Sequence, residues 1–122
     1  MLFLGSSYVF EKPGGGFAWS EKSKLVAADG TSEDRFGVAV TMVDGTAFVG
    51  SFQDDDRGLS SGSVYFFRID NDVPTVEASN KLLASDGAVG DNFGSVVSVD
   101  FETIVAGSPH DADAGKDSGT WY

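Results

Sequence analysis

The chain contains no cysteine, so neither a disulfide framework nor a thiolate metal site is open to it, and its redox compartment leaves no mark. Basic residues are scarce: 8 Lys and Arg stand against 19 Asp and Glu, a formal net charge of −11. Nucleic-acid phosphates are neutralised by Lys and Arg, and anionic membrane surfaces attract the same residues. The balance therefore argues against both partners, and no nucleic acid and no membrane insertion are expected. No apolar run approaches the length of a membrane-spanning segment. The run Met1-Leu2-Phe3-Leu4 is too short for the apolar core of a secretory leader and lacks a basic start. A soluble chain is expected, with the surplus acid keeping it so.

Helical periodicity is also missing, because no stretch repeats apolar residues at helical spacing for three turns. What the sequence does hold is 16 Gly, 10 Phe and abundant Asp. Gly and Asp form turns, whereas Phe, Val and Tyr favour strands. The fold class this predicts is all-β, with short strands and tight turns.

Strand candidates are Ser7 to Phe10, Phe17 to Lys22, Phe36 to Val40, Ala47 to Gly50, Val64 to Phe67 and Thr75 to Leu82. The turn Pro13-Gly14-Gly15-Gly16 separates the first two, and Asp44-Gly45 reads as a two-residue hairpin turn. Phe36 to Val40, Ala47 to Gly50 and Val64 to Phe67 carry no charge on either face. A sheet covered on one side alternates apolar and polar residues, so these three strands are expected to be covered on both sides. Thr75 to Leu82 is more polar and starts beside Pro74, which suits an outer edge.

The chain repeats itself. Lys81-Leu82-Leu83-Ala84 restates Lys24-Leu25-Val26-Ala27, and Asp91-Asn92-Phe93-Gly94 restates Asp34-Arg35-Phe36-Gly37. Gly107-Ser108 answers Gly50-Ser51, while Gly5-Ser6-Ser7-Tyr8 and Gly119-Thr120-Trp121-Tyr122 both answer Gly62-Ser63-Val64-Tyr65. The offset is 57 residues each time, and a fixed period of this size marks a repeat architecture. Gly37 and Gly94, each inside a first strand, suit points where another backbone comes close. Each unit runs from small, doubly covered strands to a polar outer one. A propeller blade needs that gradient, because it is a four-stranded sheet between two neighbours.

Asp34-x-Phe36-Gly37, Val49-Gly50-Ser51 and Gly62-Ser63-Val64-Tyr65-Phe66-Phe67 together resemble the FG-GAP repeat, the blade of the integrin alpha-type β-propeller. Phe93-Gly94 with Ala106-Gly107-Ser108-Pro109 is similar to the same unit, and closer to its Gly-Ala-Pro signature than Ser51-Phe52 is. The resemblance implies antiparallel four-stranded blades of an incomplete β-propeller. Residues 1–28 would end one blade, 29–85 would form a whole one, and 86–122 would supply the first three strands of the next. Propellers close with about 4–8 blades, so further blades are expected from a longer chain or a homo-oligomer.

Two acidic clusters recur in register, Asp54-Asp55-Asp56 and Asp111-Ala112-Asp113-Ala114-Gly115-Lys116-Asp117. Calcium takes 6–8 oxygen ligands, and loops of alternating Asp with Gly can wrap it. Asp54, Asp56, Asp111, Asp113 and Asp117 are thus candidate calcium ligands, set against a solvated turn, where Asp and Gly are common anyway. The calcium loop of the family, which lies between the first and second strands, is not carried over. Here that connection is only Met42 to Thr46, and Val99 to Thr103 in the second unit. Asp29, Asp34, Asp86 and Asp91 also recur, which suggests turn capping, since a catalytic site is normally unique. His110 is the sole histidine, and its neighbours Ser108 and Asp111 make no triad by adjacency. It reads as a surface turn residue, and no catalytic residue or organic cofactor is expected.

The resemblance further implies a binding or adhesion scaffold outside the cell or on its surface, meeting a protein or glycan ligand through the loops Phe52–Ser61 and Pro109–Ser118. Two other readings stay open. One is an accessory or catalytic propeller portion of a secreted hydrolase or lyase, and the other is a calcium-stabilised structural module.

Overall fold

The computed structural model describes residues 5–12, 14, 16–27, 29, 33–56, 58–69, 75–77, 80–111 and 120–121. Among the described residues ten strands appear: β1 (Ser7–Glu11), β2 (Ser20–Val26), β3 (Phe36–Val43), β4 (Thr46–Ser51), β5 (Ser63–Arg68), β6 (Thr75–Glu77), β7 (Asn80–Leu82), β8 (Val97–Asp100), β9 (Thr103–Ser108) and β10 (Thr120–Trp121). No helix occurs among the described residues.

The middle of the chain forms one complete four-stranded antiparallel sheet in the order β3-β4-β5-β7. A first sheet, in the order β1-β2-β6, precedes it, and a third, in the order β10-β9-β8, follows it. The ladders repeat with the sequence. Tyr65 faces Lys81 across β5 and β7, and 57 residues earlier Tyr8 faces Lys24 across β1 and β2. Val40 faces Val49, and their counterparts Val97 and Ala106 face each other in turn. The internal repeat is thus a repeat of hydrogen-bond register.

Two cores lie between successive sheets. Leu25, Phe36, Ala47, Val49, Tyr65 and Phe67 are buried together between the first and second sheets. Val64, Ala84, Phe93 and Ala106 do the same between the second and third. β5 serves both, with Tyr65 and Phe67 in one core and Val64 in the other. Phe36 meets Tyr65 and Phe67 edge-on at 5.3 and 5.9 Å. Such aromatic pairs add roughly 0.5–1.5 kcal/mol beyond their buried area.

The hairpin at Asp44-Gly45 has positive φ at both residues, as a primed two-residue turn requires. Gly37 sits at φ +96, and a Cβ there would lie 2.8 Å from the Ser6 carbonyl oxygen. Its counterpart Gly94 sits at φ +92 against the Ser63 carbonyl. The close backbone approach expected at these glycines is present.

Three strand expectations need correction. Phe17 to Trp19 are not in a strand, and β2 begins at Ser20; Phe17 lies in an exposed segment and is 97% accessible. The stretch from Thr75 to Leu82 is two strands: β7 closes the complete sheet, whereas β6 pairs parallel to β2 of the preceding sheet. Cover on both faces holds for β4 and β5 but not for β3. Val38, Val40 and Met42 are about half exposed, because the sheets diverge there and leave a groove of about 470 Å³ that Val40 and Met42 line with Tyr8 and Phe10.

Candidate functional site

The densest polar cluster among the described residues is built around one ammonium. Lys81 Nζ lies 2.5 Å from Asp29 Oδ2, 2.9 Å from Asp54 Oδ2 and 2.7 Å from Asp56 Oδ2. It also stands 4.8 Å from the centre of the Tyr65 ring, within range of a cation–π contact. Four separate pieces of chain deliver these groups. Asp29 comes from the connection between β2 and β3, Asp54 and Asp56 from the loop between β4 and β5, Tyr65 from β5, and Lys81 from the facing rung of β7.

Asp54 is the buried member, its side chain only 7% exposed. Its Oδ2 accepts a 2.5 Å hydrogen bond from the Ser63 hydroxyl. The Tyr65 hydroxyl lies 3.1 Å from the same oxygen and 2.9 Å from Asp29 Oδ1, so its one proton serves one acceptor at a time. A buried carboxylate is tolerated when charge-paired and hydrogen-bonded, and Asp54 is both.

Burial opposes ionisation of Asp29, but the hydrogen bonds from Lys81 and Tyr65 and the lysine's charge outweigh it, holding the carboxyl below its ordinary range. Burial also opposes the charge on Lys81, and is outweighed by the bonds to Asp29, Asp56 and Asp54, which hold the ammonium well above its ordinary range. Burial and the bond to Asp29 push the Tyr65 hydroxyl upward too. At neutral pH the cluster therefore holds one fixed cation and a tyrosine that stays protonated. With three carboxylates against one ammonium it remains net anionic.

The candidate calcium ligands distribute as follows. Asp54 and Asp56 converge, and the point they converge on is Lys81 Nζ. Asp111, the counterpart of Asp54, is likewise buried. Asp113 and Asp117 lie outside the described residues. Among the described residues no set of three acid or histidine side chains is arranged to hold a metal ion. The loop geometry repeats all the same: the Ser51 hydroxyl donates to the Asp34 carbonyl at 2.8 Å, and that of Ser108 to the Asp91 carbonyl at 2.9 Å. Asp91 also accepts the Ala88 amide at 2.8 Å, the turn-capping role expected of it. His110 is exposed in the turn after β9.

The FG-GAP repeat model matches residues 19–67 and again 77–122. This chain belongs to the FG-GAP repeat family. No curated protein and no solved structure gives a significant match. The two FG-GAP matches coincide with the two copies of the internal repeat, and FG-GAP repeats are β-propeller blades, so the sheet β3-β4-β5-β7 is one blade. The lysine cage was not evident from the acidic loop alone. Its signal was the recurrence of Tyr8 with Lys24 and of Tyr65 with Lys81 at the spacing of the repeat.

Proposed function

We propose that this FG-GAP segment is a non-catalytic binding scaffold, working outside the cell, that takes a protein or glycan ligand on the loops Phe52–Ser61 and Pro109–Ser118. The observation that carries the reading is a loop both stiff and exposed. Within Phe52–Ser61, Asp55 Oδ1 accepts the Ser60 amide at 2.7 Å, and the Asn92 side chain donates to the Phe52 carbonyl at 3.1 Å. The Gly90 amide bonds the Leu59 carbonyl at 2.8 Å. On that frame Leu59 is 66% exposed and Val89, close by, 69%. Apolar side chains displayed on a preordered loop lose little entropy on contact, which favours binding.

The family supports a scaffold role, since its repeats are structural units. In this reading the cage around Lys81 fixes the root of the loop, because Asp54 and Asp56 belong to it. Further blades complete the propeller.

The test is to immobilise the chain and probe it with extracellular proteins and glycans. The double variant Leu59→Ser, Val89→Ser should lose whatever the wild type captures while keeping its melting temperature. Capture that survives this variant, or that moves instead with substitutions in β8, would overturn the assignment.

A further inference from the structure

We infer that the β3–β4 turn is a site of covalent self-modification, at which Asp44 closes onto the Gly45 amide and is converted to isoaspartate. The reaction needs no partner but water. It is independent of the loop-binding reading, since this turn lies at the other end of β4 from Phe52–Ser61.

The chemistry is local. The Gly45 nitrogen attacks the side-chain carboxyl carbon of Asp44 and a carbon–nitrogen bond forms. The carboxyl hydroxyl and the amide proton leave together as water. The five-membered imide then takes up water again. Opening at the side-chain carbonyl restores aspartate, whereas opening at the backbone carbonyl routes the main chain through the side-chain carbons as isoaspartate. Glycine in the second position favours the attack, because it has no Cβ to crowd the nitrogen.

Three Asp-Gly pairs occur, Asp29-Gly30, Asp44-Gly45 and Asp86-Gly87, and the fold separates them. The Asp29 carboxylate is bonded to Lys81 and Tyr65, so it is held away from its own backbone. In the third pair the nucleophile is engaged, since the Gly87 amide donates to the Ala84 carbonyl at 3.1 Å. Asp86 also takes part in a polar contact. Asp44-Gly45 has neither restraint. Both residues are exposed, and among the described residues no hydrogen bond or ion pair engages the Asp44 carboxylate or the Gly45 amide. A Cβ built on Gly45 would meet nothing within 4 Å, and Asp44 lines an open cleft of about 680 Å³. Ring closure meets no steric obstacle there, and water reaches the imide. The one outside hold on Gly45 is on its carbonyl, which accepts the Ile69 amide at 2.8 Å and leaves the nitrogen side free. Isoaspartate adds a carbon to the main chain of a two-residue turn whose φ values of +45 and +75 match the twist of its strands, so the modified hairpin loses that fit.

The test is peptide mapping of the folded 122-residue chain aged in mildly acidic buffer, with electron-transfer fragmentation to tell isoaspartate from aspartate. Asp44 should pass through a form one water lighter. It should gather isoaspartate about tenfold faster than Asp86, the factor to which one hydrogen bond of ordinary strength corresponds. In urea the three pairs should convert at similar rates, because the fold no longer separates them. Asp44→Asn keeps a residue favoured in this turn and should reach the same isoaspartate through the same ring, losing ammonia in place of water. Equal conversion at Asp44 and Asp86 in the folded chain would overturn the inference. So would a difference that persists in urea, or an Asp44→Asn chain that yields aspartate without isoaspartate.

Discussion

Lys81→Met is the substitution on which the physical account is most exposed. Methionine keeps most of the unbranched apolar stem, one heavy atom shorter, and removes the ammonium with its charge and its three donors. Lys81 is 13% exposed in its side chain and Asp54 7%, whereas Asp29 and Asp56 are 58% and 41% exposed. The two outer carboxylates can take water in place of the ammonium, and exposed pairs of that kind contribute about 0–1 kcal/mol each. Asp54 cannot do so. Breaking a buried pair from one side costs about 3–5 kcal/mol, and the Ser63 and Tyr65 hydroxyls that remain on Asp54 reduce this. A net loss of about 2–4 kcal/mol follows, or a fall in melting temperature of about 10 °C for a chain of this size. Thermal and urea melts of Lys81→Met, Asp54→Asn and the double variant measure it, with a coupling energy from the cycle. A Lys81→Met loss within the ~0.5 kcal/mol usual for surface changes would refute the reasoning.

Three further expectations follow from the same geometry. Asp29 is held below its ordinary 3.8, so its contribution is present above that pH and is lost as pH falls through the lower folded value. Lys81 is held above its ordinary 10.5, so its contribution is present below that pH and is lost as pH rises through the higher folded value. Urea midpoints of the wild type should fall on both limbs, and Lys81→Met should show a shallower alkaline limb; an unchanged limb would count against the cage. Lys81→Ala should leave the effect of calcium on the melting temperature as it is in the wild type, since no three acid side chains among the described residues are arranged to hold a metal ion, and a calcium response that appears only in the variant would contradict this. Gly94→Ala should cost more than the ~1–2 kcal/mol of a left-handed alanine, because its Cβ meets the Ser63 carbonyl. Gly45→Ala, with nothing within 4 Å, should cost no more than that.

Much of the fold was legible because the same signals occur twice. Phe36-Gly37 and Phe93-Gly94 are packing positions, fixed by contact with a neighbouring backbone, so their spacing reports the blade directly. Asp44-Gly45 is a local turn and is readable locally. Thr75 to Leu82 misled because its polar character is right for an outer edge, while its division into β6 and β7 depends on a parallel partner, β2, about fifty residues earlier. The exposure of Val38, Val40 and Met42 depends on how two sheets diverge, and no periodicity within β3 records that. The cage was only half legible. Asp54 and Asp56 stood out as acids, but the cation they face is a lysine brought in by the rung between β5 and β7. Asp29 joins from a connection 52 residues before that lysine.

The central claim is that the chain is built from propeller blades repeating every 57 residues, strand register included. Cross-strand nuclear Overhauser contacts on the labelled 122-residue chain test it most directly. Contacts are expected between Val40 and Val49 and, one repeat later, between Val97 and Ala106. Tyr65 against Lys81 and Tyr8 against Lys24 are expected likewise. A second ladder offset by even one residue from the first would turn its side chains to the opposite face and would contradict the account.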